Sequence, residues 1–273
     1  MDYLKKGMTN HSYRFKLNNN DYIIRVPGEG TSRLINRQNE ALVYETLEGL
    51  HMTDEILYIS GEQGYKITKF WTDARNSDPF NNQDIEKSMQ KLKELHDMDL
   101  QVPHTFDPFE EIKYYEALRK GKPSVYKDYE DVKAKVFGLK PFLDSLPKRH
   151  VLAHIDSVSD NFLIIENEEV RIIDWEYGAM QDPDFDIAMF AIYSLFSKEQ
   201  SNFLINAYYP EGCSEETRTK IYAYMAVGGL LWSNWCEYKK TFGVDFGEYA
   251  LGQYQYAKEY PALVNDYLKQ HKN

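Results

Sequence analysis

The stretch HVLAHIDSVSDNFLIIENEEVRIIDWEYG, residues 150–178, decides the reading of this chain. Two short apolar runs, FLII (162–165) and VRII (170–173), flank the polar turn Glu166–Glu169, a pattern that predicts a hairpin. Asp156 follows His154 at the second position, Asn161 comes five residues later, and Asp174 closes the second run. A hairpin with this order brings Asn161, just before its first strand, together with Asp174, at the end of its second. An amide oxygen and a carboxylate oxygen suit a hard divalent cation such as magnesium. A loop carboxylate, here Asp156, suits a group that orients a hydroxyl and takes its proton. His154 reads as a buttress of the loop.

The spacing H-x-D-x-x-x-x-N with a carboxylate after the next strand is that of a phosphoryl-transfer catalytic loop and its downstream metal ligand. By itself the motif is a modest signal, and ordinary loop carboxylates are the bland alternative. Joined to I-I-D-W-E-Y at the right distance and to a β-rich N-terminus, it becomes specific.

Working outward, SYRFKLNNNDYIIRV (12–26) reads as a hairpin around the turn-forming Asn18–Asp21. A loop with Pro27, Gly28 and Gly30 follows, then a helix over about 33–50, then strands in EILYIS (55–60) and GYKITKF (64–70). This β-β-α-β-β order predicts a small antiparallel sheet with one helix. Beyond it, helices are expected over the stripe Ile85, Met89, Leu92 and Leu95, and over 110–120, 129–145, 184–208, 215–240 and 246–259. The expected fold class is α+β: a small β lobe (1–72) and a mainly helical lobe (73–273), joined near Phe70–Pro79.

GMTNHS (7–12) lies where a phosphate-covering loop belongs, with Thr9, Asn10 and Ser12 as candidate phosphate partners. Arg25, in YIIRV (22–26), takes the place of the strand cation that faces the nucleotide phosphates. Glu40 is its expected helix partner, with Glu45 as the fallback; solvated surface charges are the bland alternative.

Composition bounds the rest. Among 273 residues, 42% are apolar and 27% charged, as in an ordinary globular protein. The net charge of −11 argues against a nucleic-acid partner, whose recognition rests on a basic face. No long apolar run predicts membrane insertion, and MDYLKKGMTN lacks the apolar core of a secretory signal, so the expected location is cytoplasmic. Cys213 and Cys236 are then expected as free thiols.

The segments GMTNHSY (7–13), GTSRLINRQNE (30–40), HIDSVSDNF (154–162), IIDWEYGAMQDPDFDIA (172–188), LLWSNWCEY (230–238) and DFGEY (245–249) together resemble the choline/ethanolamine kinase family. Within it, the likeness is to bacterial choline kinases that feed phosphocholine into cell-surface glycopolymers. The resemblance spans nearly the whole chain. It implies a protein-kinase-like, two-lobed fold shared with aminoglycoside phosphotransferases, and ATP and magnesium as cofactors. It also implies direct in-line transfer to the choline hydroxyl, with Asp156 as base, Asn161 and Asp174 on the metal, and Arg25 in place of lysine.

A quaternary ammonium has no hydrogen to donate, so a site recognises it through aromatic faces and a nearby negative charge. Trp232 and Trp235 lie three apart on one helix face, which alone reads as core packing. With the resemblance they become cage walls, completed by Tyr177, Tyr193, Phe246 and Tyr249, with Glu176 as the carboxylate. Ethanolamine, an aminoglycoside or another amino alcohol is the alternative acceptor, and a catalytically silent choline-binding module the alternative of another class. Two departures from similar proteins stand out. Six residues precede Gly7, implying a short first strand and a less firmly anchored phosphate cover. Ser157 and Ser159 replace larger residues or proline. The oligomeric state is left open.

Overall fold

The structure is a computed structural model and describes residues 2–6, 10–28, 31 and 34–271. The N-terminal strands are β1 (Asp2–Lys6), β2 (Asn10–Leu17) and β3 (Asn20–Pro27). Asn18 and Asn19 between β2 and β3 both take positive φ, 50° and 65°, as a tight two-residue hairpin turn requires. With β4 (Ile56–Ile59) and β5 (Lys66–Lys69) these strands make an antiparallel sheet ordered β1-β2-β3-β5-β4. In its register Arg25 stands opposite both Ser12 and Lys66. Directly opposed residues point to one face, so the three side chains share it.

Helix α1 (Arg37–Thr46) is shorter than the expected 33–50, because Asn36 caps it by accepting from the Gln38 and Asn39 amides. It buries Val43 and Tyr44. Helix α2 (Asn82–Asp97) buries the expected stripe of Ile85, Met89, Leu92 and Leu95.

Strand β6 (Arg75–Asn76) pairs with β8 (Phe162–Ile164), which pairs with β9 (Val170–Ile172); β8 and β9 are the hairpin read from the sequence. A second small sheet joins β7 (Val151–Ala153) to β10 (Ala179–Gln181). The chain forms two compact units, 1–104 with 151–180 and 105–150 with 181–273. The β8–β9 hairpin thus clusters with the N-terminal sheet.

In the second unit, helix α3 (Pro108–Leu118) matches the expected 110–120. The segment 129–145 is two helices rather than one, α4 (Tyr129–Phe137) and α5 (Lys140–Ser145). The break follows from Gly138 and from Pro141, which has no N–H to continue the ladder. The segment 184–208 also divides, into α6 (Pro183–Tyr193) and α7 (Lys198–Tyr208). Ser197 starts the second with a capping box to Gln200.

Helix α8 (Glu215–Lys240) is buried on all sides from Thr219 to Cys236. Its glycines permit this. A Cβ on Gly228 would lie 2.1 Å from Met189 Cε of α6, and one on Gly229 would lie 2.5 Å from the Gln253 carbonyl oxygen. Gln253 belongs to α9 (Glu248–Gln270), which runs past the expected end at 259 and through Pro261. Burial of Tyr260, Pro261 and Val264 offsets the backbone hydrogen bond that proline forgoes. Both cysteines are free thiols, and burial pushes Cys236 up to about 12. Among the described residues, no helix is long and apolar enough to cross a membrane.

Candidate active site

His154 is fully buried, edge-on to the Trp175 ring at 4.6 Å, and its Nε2–H donates to the Ile173 carbonyl at 2.8 Å. This bond ties the loop that carries Asp156 to the residue before Asp174. Asn161, in a short 3-10 turn (Ser159–Asn161), donates its side-chain N–H to the Asp156 carbonyl at 2.9 Å and to Asp156 Oδ2 at 3.2 Å. In return the Asn161 carbonyl accepts from the Ile173 amide at 2.8 Å. Asp156, Asn161 and Asp174 are therefore brought together by one hairpin.

The backbone is strained at two of these points. Ile155 has φ +68° and Asp174 φ +64°. For a β-branched residue this conformation costs on the order of 1–3 kcal/mol and persists only when its surroundings impose it. Here the buried His154 on one side and the half-buried Asp156 on the other supply those surroundings.

Arg25 is 5% exposed and reaches two carboxylates at once, with Nη1 on Asp174 Oδ1 at 2.6 Å and Nη2 on Glu40. Burial acts to lower its pKa, but Glu40, Asp174 and Glu176 outweigh burial and hold the guanidinium charged, well above its ordinary value. Burial likewise acts to raise Asp174, yet Arg25, Lys66 and His154 keep that carboxyl below the usual aspartate value. Ser12 sits half-buried on the same sheet face as Arg25.

Asn161 spends its amide nitrogen on Asp156, so its oxygen is the end left for a cation. Asp174 keeps 33% of its side chain exposed. Among the described residues no group of three or more His, Cys, Asp or Glu could hold a metal. One amide oxygen and one carboxylate oxygen instead fit magnesium, which takes its other ligands from water and phosphate.

Glu176 is placed otherwise than an exposed anchor would be. Its side chain is 2% exposed, accepts from Asn10 Nδ2 at 2.7 Å and from Arg37 Nη1 at 3.3 Å, and lies 3.8 Å from Arg25. Burial and the charge of Asp174 raise its carboxyl above the ordinary value. Arg37, which the sequence reading did not single out, also contacts Glu40, Asn10 and Thr31. Its position three residues before Glu40 was the available signal. Lys66, buried opposite Arg25 and bonded to the Tyr44 hydroxyl, was missed too. Thr9 lies outside the described residues. Tyr177 is half-buried in the turn after Glu176.

In the second unit Trp232 and Trp235 are buried and meet edge to face at 6.1 Å. Tyr193 lies 5.5 Å from Trp232, Phe246 lies 5.1 Å from Trp235, and Tyr249 lies 6.3 Å from Phe246. Lys239 places its ammonium 5.6 Å from the Trp235 ring centre.

An antiparallel sheet carrying a buried cation, a hairpin carrying Asp156, Asn161 and Asp174, and a helical remainder define a protein-kinase-like phosphotransferase. The model for choline/ethanolamine kinases matches residues 1–227, and the chain belongs to that family. It is accordingly a phosphotransferase with an alcohol group as acceptor.

Protein LicA of Haemophilus influenzae is 26% identical over 264 residues, covering 90% of this chain and 75% of LicA. The crystal structure of choline kinase LicA from Streptococcus pneumoniae superimposes with a TM-score of 0.83 at 32% identity, covering 96% of this chain and 95% of that one. A structure of LicA in complex with AMP gives a TM-score of 0.82 at 32% identity, with 96% and 91% covered. The ADP-bound aminoglycoside phosphotransferase APH(2'')-Ib shares the fold, with a TM-score of 0.63 at 14% identity over 96% and 93% of the two chains.

Proposed function

We propose that the protein transfers the γ-phosphoryl group of ATP directly to the hydroxyl of choline, giving phosphocholine without a phosphoenzyme. The observation that carries this reading is the joint placement of Asp156, Asn161 and Asp174 by one hairpin, with the Asn161 amide fixed on Asp156. The LicA neighbours, one a choline kinase and one in complex with AMP, support the choice of acceptor class and of a nucleotide.

In this reading Asp156 orients the acceptor hydroxyl and takes its proton as the new P–O bond forms. Asn161 and Asp174 hold magnesium, which when bound neutralises charge on the phosphate oxygens. Arg25, kept in place by Glu40, and the segment around Thr9, Asn10 and Ser12 serve the nucleotide. Residues 1–72 act as the nucleotide-binding lobe. Tyr193, Trp232, Trp235 and Phe246 meet the methylated ammonium through their faces. The prior engagement of Glu176 favours this acceptor over ethanolamine, whose primary ammonium calls for an available carboxylate.

The test is Asp156→Ala. Turnover is expected to fall by about 10²-fold or more, as loss of a positioned general base does. The affinity for a non-hydrolysable ATP analogue is expected to persist. Near-normal turnover would remove Asp156 from this role.

A further inference from the structure

Glu176 stands two residues after Asp174, and its carboxylate meets Asn10, Arg37 and Arg25. Its side chain is 2% exposed, and the groups that meet it come from β2, β3 and the start of α1. The side chain of Asn10 is held at both ends. Its N–H donates to Glu176 at 2.7 Å, and its oxygen accepts from Arg37 Nη2 at 3.0 Å. Arg37 closes the ring by donating to Glu176 at 3.3 Å and to Glu40 at 3.1 Å. It also donates to Thr31 Oγ1 at 3.3 Å, and the Thr31 hydroxyl in turn donates to the Gly28 carbonyl. Asn10 opens β2 directly after residues 7–9 of the candidate phosphate cover.

We infer that Glu176 and Arg37 are positioning residues for the nucleotide: through Asn10 they lock the start of β2 to the turn that carries Asp174. One turn thereby sets the metal carboxylate and the start of β2 in register. Asn10 acts as the clasp of this clamp, with its amide nitrogen on Glu176 and its oxygen on Arg37. Glu176 serves nucleotide affinity and not recognition of the acceptor ammonium. A carboxylate bonded to an amide and a guanidinium is worth more than a neutral contact, and burial raises the cost of losing any member. The inference rests on the nucleotide role assigned above.

Exchanging the partners tests it. Asn10→Asp alone sets two carboxylates against each other, and Glu176→Gln alone removes one of the two carboxylates that Arg37 meets. The double variant Asn10→Asp/Glu176→Gln restores one carboxylate, one amide and the same net charge, with the donor reversed. The readouts are the Kd of a fluorescent non-hydrolysable ATP analogue with magnesium, the KM values for ATP and choline, and thermal melting.

Each single variant is expected to weaken the analogue by about tenfold or more, the scale of a lost charge-assisted bond. The double variant should return to within about threefold of the parent, as coupled neighbours do. The choline KM should stay within about twofold throughout. If Asn10→Asp does not fold, Asn10→Ala is expected to weaken the analogue with the same sparing of choline.

A double variant as weak as Glu176→Gln would overturn the clamp, because the carboxylate at 176 would then itself be required. A rise in choline KM alone would equally overturn it, in favour of an acceptor role. A parent protein that binds no analogue would instead sink the nucleotide reading, and the clamp with it.

Discussion

Buried Arg25, Glu40 and Glu176 form one cluster with half-buried Asp174 and Arg37 in which each charge has a partner, and this is what makes the burial tolerable. Lysine at position 25 has a single ammonium and could not span Glu40 and Asp174 as the planar fork does. The Arg25–Glu40 pair was legible in the sequence because strand position and helix position are both local patterns. Arg37 was not, since its partners at 10, 31 and 176 are distant in the chain. The tryptophans divide in the same way. Trp235 carries Lys239 at 5.6 Å and Phe246 at 5.1 Å, and Trp232 meets Tyr193 at 5.5 Å and Trp235 at 6.1 Å. A resident cation competes with an incoming one for the same ring. With the proposed cage role, Trp232→Ala is expected to raise the choline KM by about tenfold, the scale of a desolvated cation–π contact. Trp235→Ala should raise it less and cost more in melting temperature. Steady-state kinetics with melting curves check this, and equal KM values in the parent and Trp232→Ala would return both rings to the core.

At the scale of elements, the β8–β9 hairpin was the most legible feature, because two apolar runs around a charged turn have no competing local reading. Its brace was not legible: β6 is two residues long and gains its meaning from pairing with β8. Asn76 donates to the Asp160 carbonyl at 2.9 Å, and the Ser77 amide donates to the Phe162 carbonyl at 2.8 Å. Arg75 of this strand grips Asp84 of α2 with both terminal nitrogens, one at 2.8 Å. That grip holds the Asp84 carboxyl below the usual aspartate value, with the Asp78 amide adding to it against the cost of burial. A lowered folded pKa stabilises the protein above the ordinary value of about 4 and ceases to do so as pH falls through the folded one. Asp84→Asn is expected to cost about 1 kcal/mol at pH 7, a modest value because Arg75 is half exposed. The difference in melting temperature from the parent should shrink as pH drops below about 4. A gap that stayed constant down to about pH 2 would deny the ion pair its part. Helix ends were the weakest expectation, since the breaks at Gly138 and Ser197 depend on single residues inside otherwise continuous apolar patterns.

At the scale of the molecule, the two-lobed α+β class followed from a β-rich start and a helical remainder, both visible along the chain. The division into compact units did not, because it interleaves segments: 151–180 returns to 1–104, and 105–150 joins 181–273. Such a return is set by tertiary contacts, among them the Ile172 amide on the Met52 carbonyl and the Trp175 indole on Thr53, which leave no periodic trace in the sequence. The family was legible through the resemblance carried by Trp232, Trp235 and the D-W-E-Y turn, and with it a phosphotransferase that acts on an alcohol group. The proposed function is that this protein passes phosphoryl groups from ATP to choline. The most direct test is ATP-to-ADP turnover with magnesium, offered choline, ethanolamine, kanamycin or no acceptor in parallel. Strong turnover that depends on choline, exceeding that with the other acceptors, is the predicted result. Preference for another acceptor, or no turnover with any of them in protein shown to be folded, would contradict it.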